Sequence, residues 1–277
     1  MGATAAARAP QPFLLKYISV FSLSLQQVFY YRASFLMDRA RSITILVAFY
    51  AFWSAIYRDR SDLAGYNQSE MMTYILGMNV LRALIFTDKT WDVIREINTG
   101  KISAYLTRPI SYIGYCVSRD LADKLIYLCS AVLEVMIAAW FLNVPLIIPP
   151  ADVFWLRFVP AVLLAIVLFF LMSYAVSALA FWTAESAGPR FCFELLLEFA
   201  SGAFFPLSIL PDAVRKSFEI LPFASLLFFP LNICLGKVTD AQWLQGIAVQ
   251  LVWITIFAFA VKTIWRRGLK IYSAEGG

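Results

Sequence analysis

Three glutamates are the residues of this sequence whose type and position could do chemistry. Glu194 and Glu198 stand four residues apart in one apolar stretch, so they share a helix face, and Glu134 lies in another. A carboxylate in an apolar stretch is expensive unless it faces protein, water or a cation. Three uses remain open for the pair at 194 and 198: closing the entrance of a pathway, pairing with Arg190 or with another helix, or relaying protons.

Other kinds of chemistry are excluded by composition. The chain has no histidine, which removes histidine bases, histidine triads and HExxH metal sites. No GxxxxGK[ST] stretch is present, so the chain lacks a P-loop for ATP. The cysteines are scattered without a CxxC pair and are predicted to be unpaired; they are Cys116, Cys129, Cys192 and Cys234. We therefore predict no catalytic residue, no metal site and no cofactor held by this chain.

The solvent of this chain is predicted to be lipid. Of its 277 residues, 61% are hydrophobic and 15% are charged, whereas soluble domains carry about 25% charged residues. Apolar runs recur at about 20 residues, which is the length that crosses the hydrocarbon layer. The sequence predicts a polytopic all-α integral membrane protein with one domain over residues 1–277.

Six transmembrane helices are predicted, together with two apolar stretches that do not span. The predicted spans are 35–57, 70–87, 121–142, 158–181, 191–210 and 243–264. Residues 13–31 have one strong apolar face but are interrupted by serines and glutamines, so we predict an interfacial helix there. Residues 211–235 contain a short apolar run broken by Pro222 and Pro230, which favours a re-entrant extracellular segment. Between Pro211 and Leu221, an exposed turn is predicted to contain Arg215, Lys216 and Glu219. Residues 1–12 do not resemble a cleaved signal peptide.

The positive charges predict the orientation. On this assignment, 16 of the 23 lysines and arginines lie on the side that holds both termini, and six lie on the other side. Because basic residues collect on the cytoplasmic side, both termini are predicted to be cytoplasmic.

The polar segment 88–112 contains a pattern of two short amphipathic helices. In the first helix, one face carries Val93, Ile94 and Ile97, and the other carries Asp92, Arg95 and Glu96. Gly100 is a plausible helix stop, and the pattern resumes until Pro109. The segment is either a solvated connector or a docking surface for a cytoplasmic partner, with its apolar face anchored to the spans and its charged face turned to the partner.

Two stretches carry a resemblance to a known family. They are GYNQSEMMTYILGMNVLRAL at 65–84 and IREINTGKISAYLTRPISY at 94–112, and SILPDAVRKSFEILPF at 208–223 adds weaker support. With the order of elements along nearly the whole chain, they resemble the transmembrane permease subunit of a type-2 ABC exporter, in a bacterial family formerly labelled as of unknown function.

This resemblance implies an assembly. Such permeases pair as homodimers or with a related second permease, in the bacterial cytoplasmic membrane. Each dimer binds two copies of a separate cytoplasmic P-loop ATPase, which holds ATP and Mg. Residues 13–31 would flank the joint with that ATPase. The residues implied at the joint are Trp91, Asp92, Ile94, Arg95, Glu96, Ile97, Gly100, Lys101 and Arg108.

The resemblance also implies efflux of cargo between the two permeases. The second and fifth spans would line the path, with Met78, Asn79, Glu194 and Glu198 as candidate residues. The cargo expected is an amphipathic small molecule, a drug or a lipid-like substrate. The main alternative is an ion- or proton-coupled secondary transporter that uses Glu134 and the same glutamate pair. An intramembrane enzyme and a scaffold without transport function are further alternatives, and co-purification with an ATPase would separate them.

Overall fold

In the computed structural model, the described residues are 13–87, 89–144, 146–183 and 185–272. They are predominantly helical, with one two-stranded antiparallel hairpin. The first half comprises α1 Phe13–Tyr30, α2 Arg32–Ile56, β1 Asp62–Leu63, β2 Tyr66–Asn67, α3 Gln68–Ile85, α4 Thr90–Asn98, α5 Ile102–Leu106 and α6 Tyr112–Leu142. The second half comprises α7 Ala151–Val153, a π-helical turn Phe154–Phe158, α8 Val159–Ser177, a 3₁₀ turn Ala178–Phe181, α9 Ala187–Ala200, a 3₁₀ turn Leu207–Ile209, α10 Asp212–Ile220, α11 Phe228–Cys234 and α12 Asp240–Ile271. Residues 1–12, which were predicted not to form a cleaved signal peptide, lie outside the described residues, as does Asp88.

Three helices of the described part are long and apolar enough to cross a membrane. They are α6, the continuous run Ala151–Phe181 that includes α8, and α12. The run through α8 is the most buried of the three and forms the centre of the bundle. Helix α12 packs along α8, and α3 packs against both α6 and α2. Helix α1 lies along α6.

Local capping explains where several helices begin. Asn67 accepts from the backbone N–H of Glu70, whose side chain accepts from the Asn67 N–H, and this capping box starts α3. Thr239 and Gln242 form the same motif at the start of α12. Ser111 caps α6, which therefore begins at Tyr112 rather than at the predicted position 121.

The two ends of the bundle are closed by different clusters. At one end, α4 and α5 pack against the beginning of α6 and the end of α8. At the other end, the β-hairpin meets α11, where the buried Tyr66 hydroxyl donates to Asn232 Oδ1 at 2.5 Å. Burial raises the pKa of Tyr66 to about 12, so the hydroxyl keeps the proton that it donates.

The helix predicted over 191–210 is shorter in the structure. Helix α9 ends at Ala200, and Gly202 follows with φ +84°. This left-handed conformation favours glycine, and the Gly202 carbonyl accepts from the Tyr74 hydroxyl at 2.7 Å. The predicted continuous helix is therefore wrong beyond Ala200, because a backbone turn lies there.

The predicted turn at Arg215, Lys216 and Glu219 is also wrong, because these residues lie in α10. Asp212 occupies the first turn of that helix and binds Arg215 at 2.9 Å. Glu219 lies one turn beyond Arg215 on the same helix. Segment 211–235 consequently consists of two short helices, α10 and α11, joined by turns.

Gly268 of α12 allows close contact with Phe181. A Cβ atom at position 268 would lie 2.3 Å from the Phe181 ring. We therefore expect Gly268→Ala to lower the free energy of unfolding by about 1–3 kcal/mol through overpacking. The measurement is a denaturant titration in detergent micelles. Gly188→Ala is the matched control, because a Cβ there meets nothing within 4 Å. Equal stability of the two variants would contradict the packing argument.

Candidate functional site

Helices α4 and α5 are held to the bundle by their apolar side. Val93, Ile94 and Ile97 are buried at 1%, 6% and 4% exposure, and Ile102 of α5 is fully buried. Their cluster includes side chains of α6, α8 and α12. The predicted pair of short helices and its apolar face are both confirmed, and Gly100 ends α4 with φ +74° as expected of a helix stop.

The carboxylates of α4 bind within the chain. Arg119 of α6 pairs with Asp92 through one nitrogen and with Glu96 through the other, the latter at 3.0 Å. The Tyr112 hydroxyl also donates to Glu96 at 2.5 Å. Both carboxylates were predicted to lie on a partner-facing surface, whereas in the structure they face Arg119. The reason is electrostatic, since the guanidinium provides donors in two directions.

With these acids turned inward, a basic edge remains outside. We define the basic edge as Arg95, Lys101 and Arg108, all exposed. The Arg95 side chain is 69% exposed, although it also reaches Asp92. The Arg108 guanidinium lies 5.2 Å from the centre of the Tyr105 ring. Among the described residues 89–112, every exposed ionic side chain is therefore a cation.

A buried ionic cluster fixes the link between α3 and α4. Lys124 of α6 pairs with Asp120 at 2.9 Å and donates to Thr87 Oγ1 at 3.0 Å and to the Ile85 carbonyl at 3.2 Å. Lys89 pairs with Asp123 at 3.1 Å. No role was predicted for these residues from the sequence. Their only signal was the four-residue spacing of Asp120 and Lys124 at the start of an apolar run.

Helix α4 is also joined directly to α9. The Trp91 Nε1–H donates to Glu194 Oε1 at 2.6 Å, and Arg190 Nε donates to the same oxygen at 3.1 Å. Arg190 is fully buried and also donates to the Ser173 carbonyl of α8 at 3.2 Å. A displacement of α4 would therefore act on α9 through one carboxylate.

One turn further along α9, Glu198 pairs with Arg82 of α3. Glu134 of α6 is likewise paired, with Arg39 at 3.3 Å, and accepts from Ser42 at 2.9 Å. Of the uses considered for these glutamates, pairing with arginine is observed at all three.

A polar cavity of about 290 Å³ lies between α2, α3 and α9. Asn79, Glu194 and Glu198, three of the four candidate pathway residues, line it together with Arg82. The fourth, Met78, lines a smaller apolar cavity of about 40 Å³ that shares Asn79 and Arg82 with the first. The structure thus brings the four candidates together in two adjoining cavities.

The fold and this site define an integral membrane protein: a helical bundle with an internal polar cavity and a pair of amphipathic helices fixed across one end. Residues 43–276 match a family described as ABC-2 family transporter protein, so the chain belongs to that family. It is a membrane permease of an ABC transporter, and the permeases of this family are transport subunits, generally not catalytic themselves, with an ABC ATPase as partner. No curated protein matches the chain.

Proposed function

We propose that the chain is half of the translocation pathway of an ATP-driven exporter, and that α4 and α5 dock into a separate cytoplasmic ATPase. The observation that carries this proposal is the basic edge on a rigidly held helix pair. Arg95, Lys101 and Arg108 present only positive charge outward. Such an edge fits an acidic cleft on a soluble partner, because complementary charge steers association and sets register.

The coupling follows from the contacts of α4. When two ATPase subunits close around ATP and Mg, the docked helix pair moves with them. The Trp91–Glu194 hydrogen bond passes this movement to α9, and the Lys124 cluster passes it to α3. These helices flank the polar cavity, so the cavity walls change their separation. The permease state that fits the closed ATPase is stabilised by its higher affinity for it.

The membrane arrangement in this proposal has six spans, an interfacial α1 and a re-entrant 211–235. Two contacts near α4 and α5 support cytoplasmic termini. The Lys16 ammonium near the start of α1 donates to the Pro109 carbonyl at 3.2 Å. Trp265 near the end of α12 stacks on Tyr112 at 5.2 Å. The exposed apolar residues of α1, such as Ile18 at 52%, suit a helix that lies in the interface of the bacterial inner membrane.

The proposed cargo is amphipathic, a drug-like or lipid-like molecule. The polar cavity adjoins the apolar cavity, in which Phe204 stacks on Phe49 with ring centres 5.9 Å apart. A second permease, either another copy or a related chain, would complete the path. The secondary transporter that uses the three glutamates is disfavoured, because each of them is held by an arginine.

The basic edge provides the test. We expect the double variant Arg95→Glu and Lys101→Glu to retain less ATPase during co-purification, with affinity lowered at least about tenfold, because like charges would then face the acidic cleft. The permease should be co-expressed with its cognate ATPase, and the retained ATPase measured together with its stimulated activity.

The matched control reverses one arginine and one lysine at the other end of the bundle, Arg60→Glu with Lys216→Glu, both exposed. This control should retain the ATPase. Equal retention by both double variants would refute docking at the basic edge. Substitutions of Ile94 or Ile97 are less informative, because both side chains are buried in the bundle and their loss would disturb the fold.

A further inference from the structure

A further cavity lies on the other side of α2, between α2 and α6. The two helices are tied together at one end, where Tyr127 donates to Asp38 at 3.0 Å and Arg39 binds Glu134 at 3.3 Å. A groove between the two helices begins at these contacts and extends to Arg58, with a volume of about 810 Å³. This volume lies within the range of roughly 300–1,000 Å³ that ligand sites occupy.

The walls of the groove are apolar and face outward from the bundle. Val47 of α2 and Leu133, Ile137 and Phe141 of α6 line it with exposures of 53%, 59%, 57% and 75%. Because α6 is long and apolar enough to cross a membrane, these side chains meet bilayer hydrocarbon. An alkyl chain matches the chemistry of such a groove.

Each end of the groove carries an arginine, and the two arginines differ in their ion pairing. Arg39 is neutralised by Glu134. Arg58, which lines the other end, makes no ion pair with any carboxylate of the described residues. A guanidinium in this position offers the planar pair of N–H donors that matches a phosphate.

The groove is long enough for a lipid tail beside Arg58. Arg39 and Arg58 are roughly 28 Å apart along the helix axis at 1.5 Å per residue, which is close to the full hydrocarbon thickness of about 30 Å. A tail that crosses one leaflet, about half of that thickness, therefore occupies the half of the groove next to Arg58. We infer that the groove binds one membrane phospholipid, with an acyl chain between α2 and α6 and its phosphate on Arg58. This inference depends only on the membrane location of the chain and not on its docking to an ATPase.

The experiment uses the full chain, purified in detergent and supplied with dioleoyl phosphatidylglycerol, and counts bound lipid by native mass spectrometry. Filling the groove with Ala51→Leu and Ala138→Leu should abolish the adduct. Arg58→Gln should weaken lipid binding about tenfold, the size of one charge-assisted hydrogen bond. Arg60→Gln is the matched control, because Arg60 does not line the groove.

Three results would overturn the inference. The filled groove could retain the lipid adduct, which would place the lipid elsewhere. Arg58→Gln and Arg60→Gln could weaken binding equally, which would remove the phosphate contact. The filling substitutions could dissociate a dimer without changing lipid content, which would make the groove an interface with a second copy. Dioleoylglycerol, which has the tails and lacks the phosphate, should bind to wild type and Arg58→Gln alike.

Discussion

Replacing Arg119 with methionine is expected to lower the free energy of unfolding by about 3–5 kcal/mol, the cost of removing one partner from a buried ion pair. Arg119 is 11% exposed, and its carboxylate partners Asp92 and Glu96 are 15% and 10% exposed. Methionine matches the length and packing of the arginine stem but supplies no donor. Glu96 would then keep only the Tyr112 hydroxyl, and α4 would lose both of its ion pairs to α6.

Denaturant titration in mixed micelles, with proteolysis to report on exposure of α4 and α5, measures this effect. Arg267→Met, at an exposed position of α12, is the control and should change stability by no more than about 0.5 kcal/mol. Adding Asp92→Asn and Glu96→Gln to Arg119→Met should recover a large part of the loss, since no carboxylate then remains unpaired. If Arg119→Met were as stable as wild type, the ion pairs would not hold α4.

Replacing Trp91 with phenylalanine is expected to uncouple the permease from its ATPase. The substitution keeps a ring in place but removes the Nε1–H that donates to Glu194 at 2.6 Å. A hydrogen bond to a charged group contributes about 1.5–3 kcal/mol, which corresponds to roughly ten- to hundredfold in an equilibrium. The stimulation of the ATPase should fall by about that factor, while the ATPase itself stays bound, because Trp91 lies behind the basic edge.

Trp182→Phe is the matched control, since Trp182 is exposed in the neighbouring turn and its indole makes no hydrogen bond to a carboxylate of the described residues. Glu194→Gln should reproduce the uncoupling in weaker form, because an amide oxygen still accepts but no longer attracts Arg190. ATPase stimulation that is the same in Trp91→Phe and Trp182→Phe would show that α9 receives the movement by another route.

Both expectations concern one arrangement of charge. The acids of α4 face inward and hold the helix, so the same helix can expose only cations. A helix with Asp92 and Glu96 turned outward would present mixed charge and would lose its attachment to α6. Arg95 of α4 is exposed, whereas Asp92 and Glu96 of the same nine-residue helix attach it to α6.

Several features of the site were predictable because they depend on local chemistry. Apolar residues at 93, 94 and 97 favour one helix face, and Gly100 can adopt the positive φ that ends the helix. The four-residue spacing of Glu194 and Glu198 predicted a shared face and pairing with Arg190. Helix ends were less predictable, as at Ala200, because the turn that follows depends on the contact between Gly202 and Tyr74 from a distant helix.

The sequence by itself determined that this protein is helical and lies in a membrane, because composition and the length of apolar runs decide the preferred solvent. It also determined that a pair of amphipathic helices follows α3. Only the tertiary structure decided which charges meet. Arg119 pairs with Asp92 and Glu96, Arg82 pairs with Glu198, and Trp91 donates to Glu194. No periodicity in the sequence predicts these contacts, because the partners lie far apart along the chain. Such pairing depends on how the helices are placed in space, and it leaves Arg95, Lys101 and Arg108 exposed.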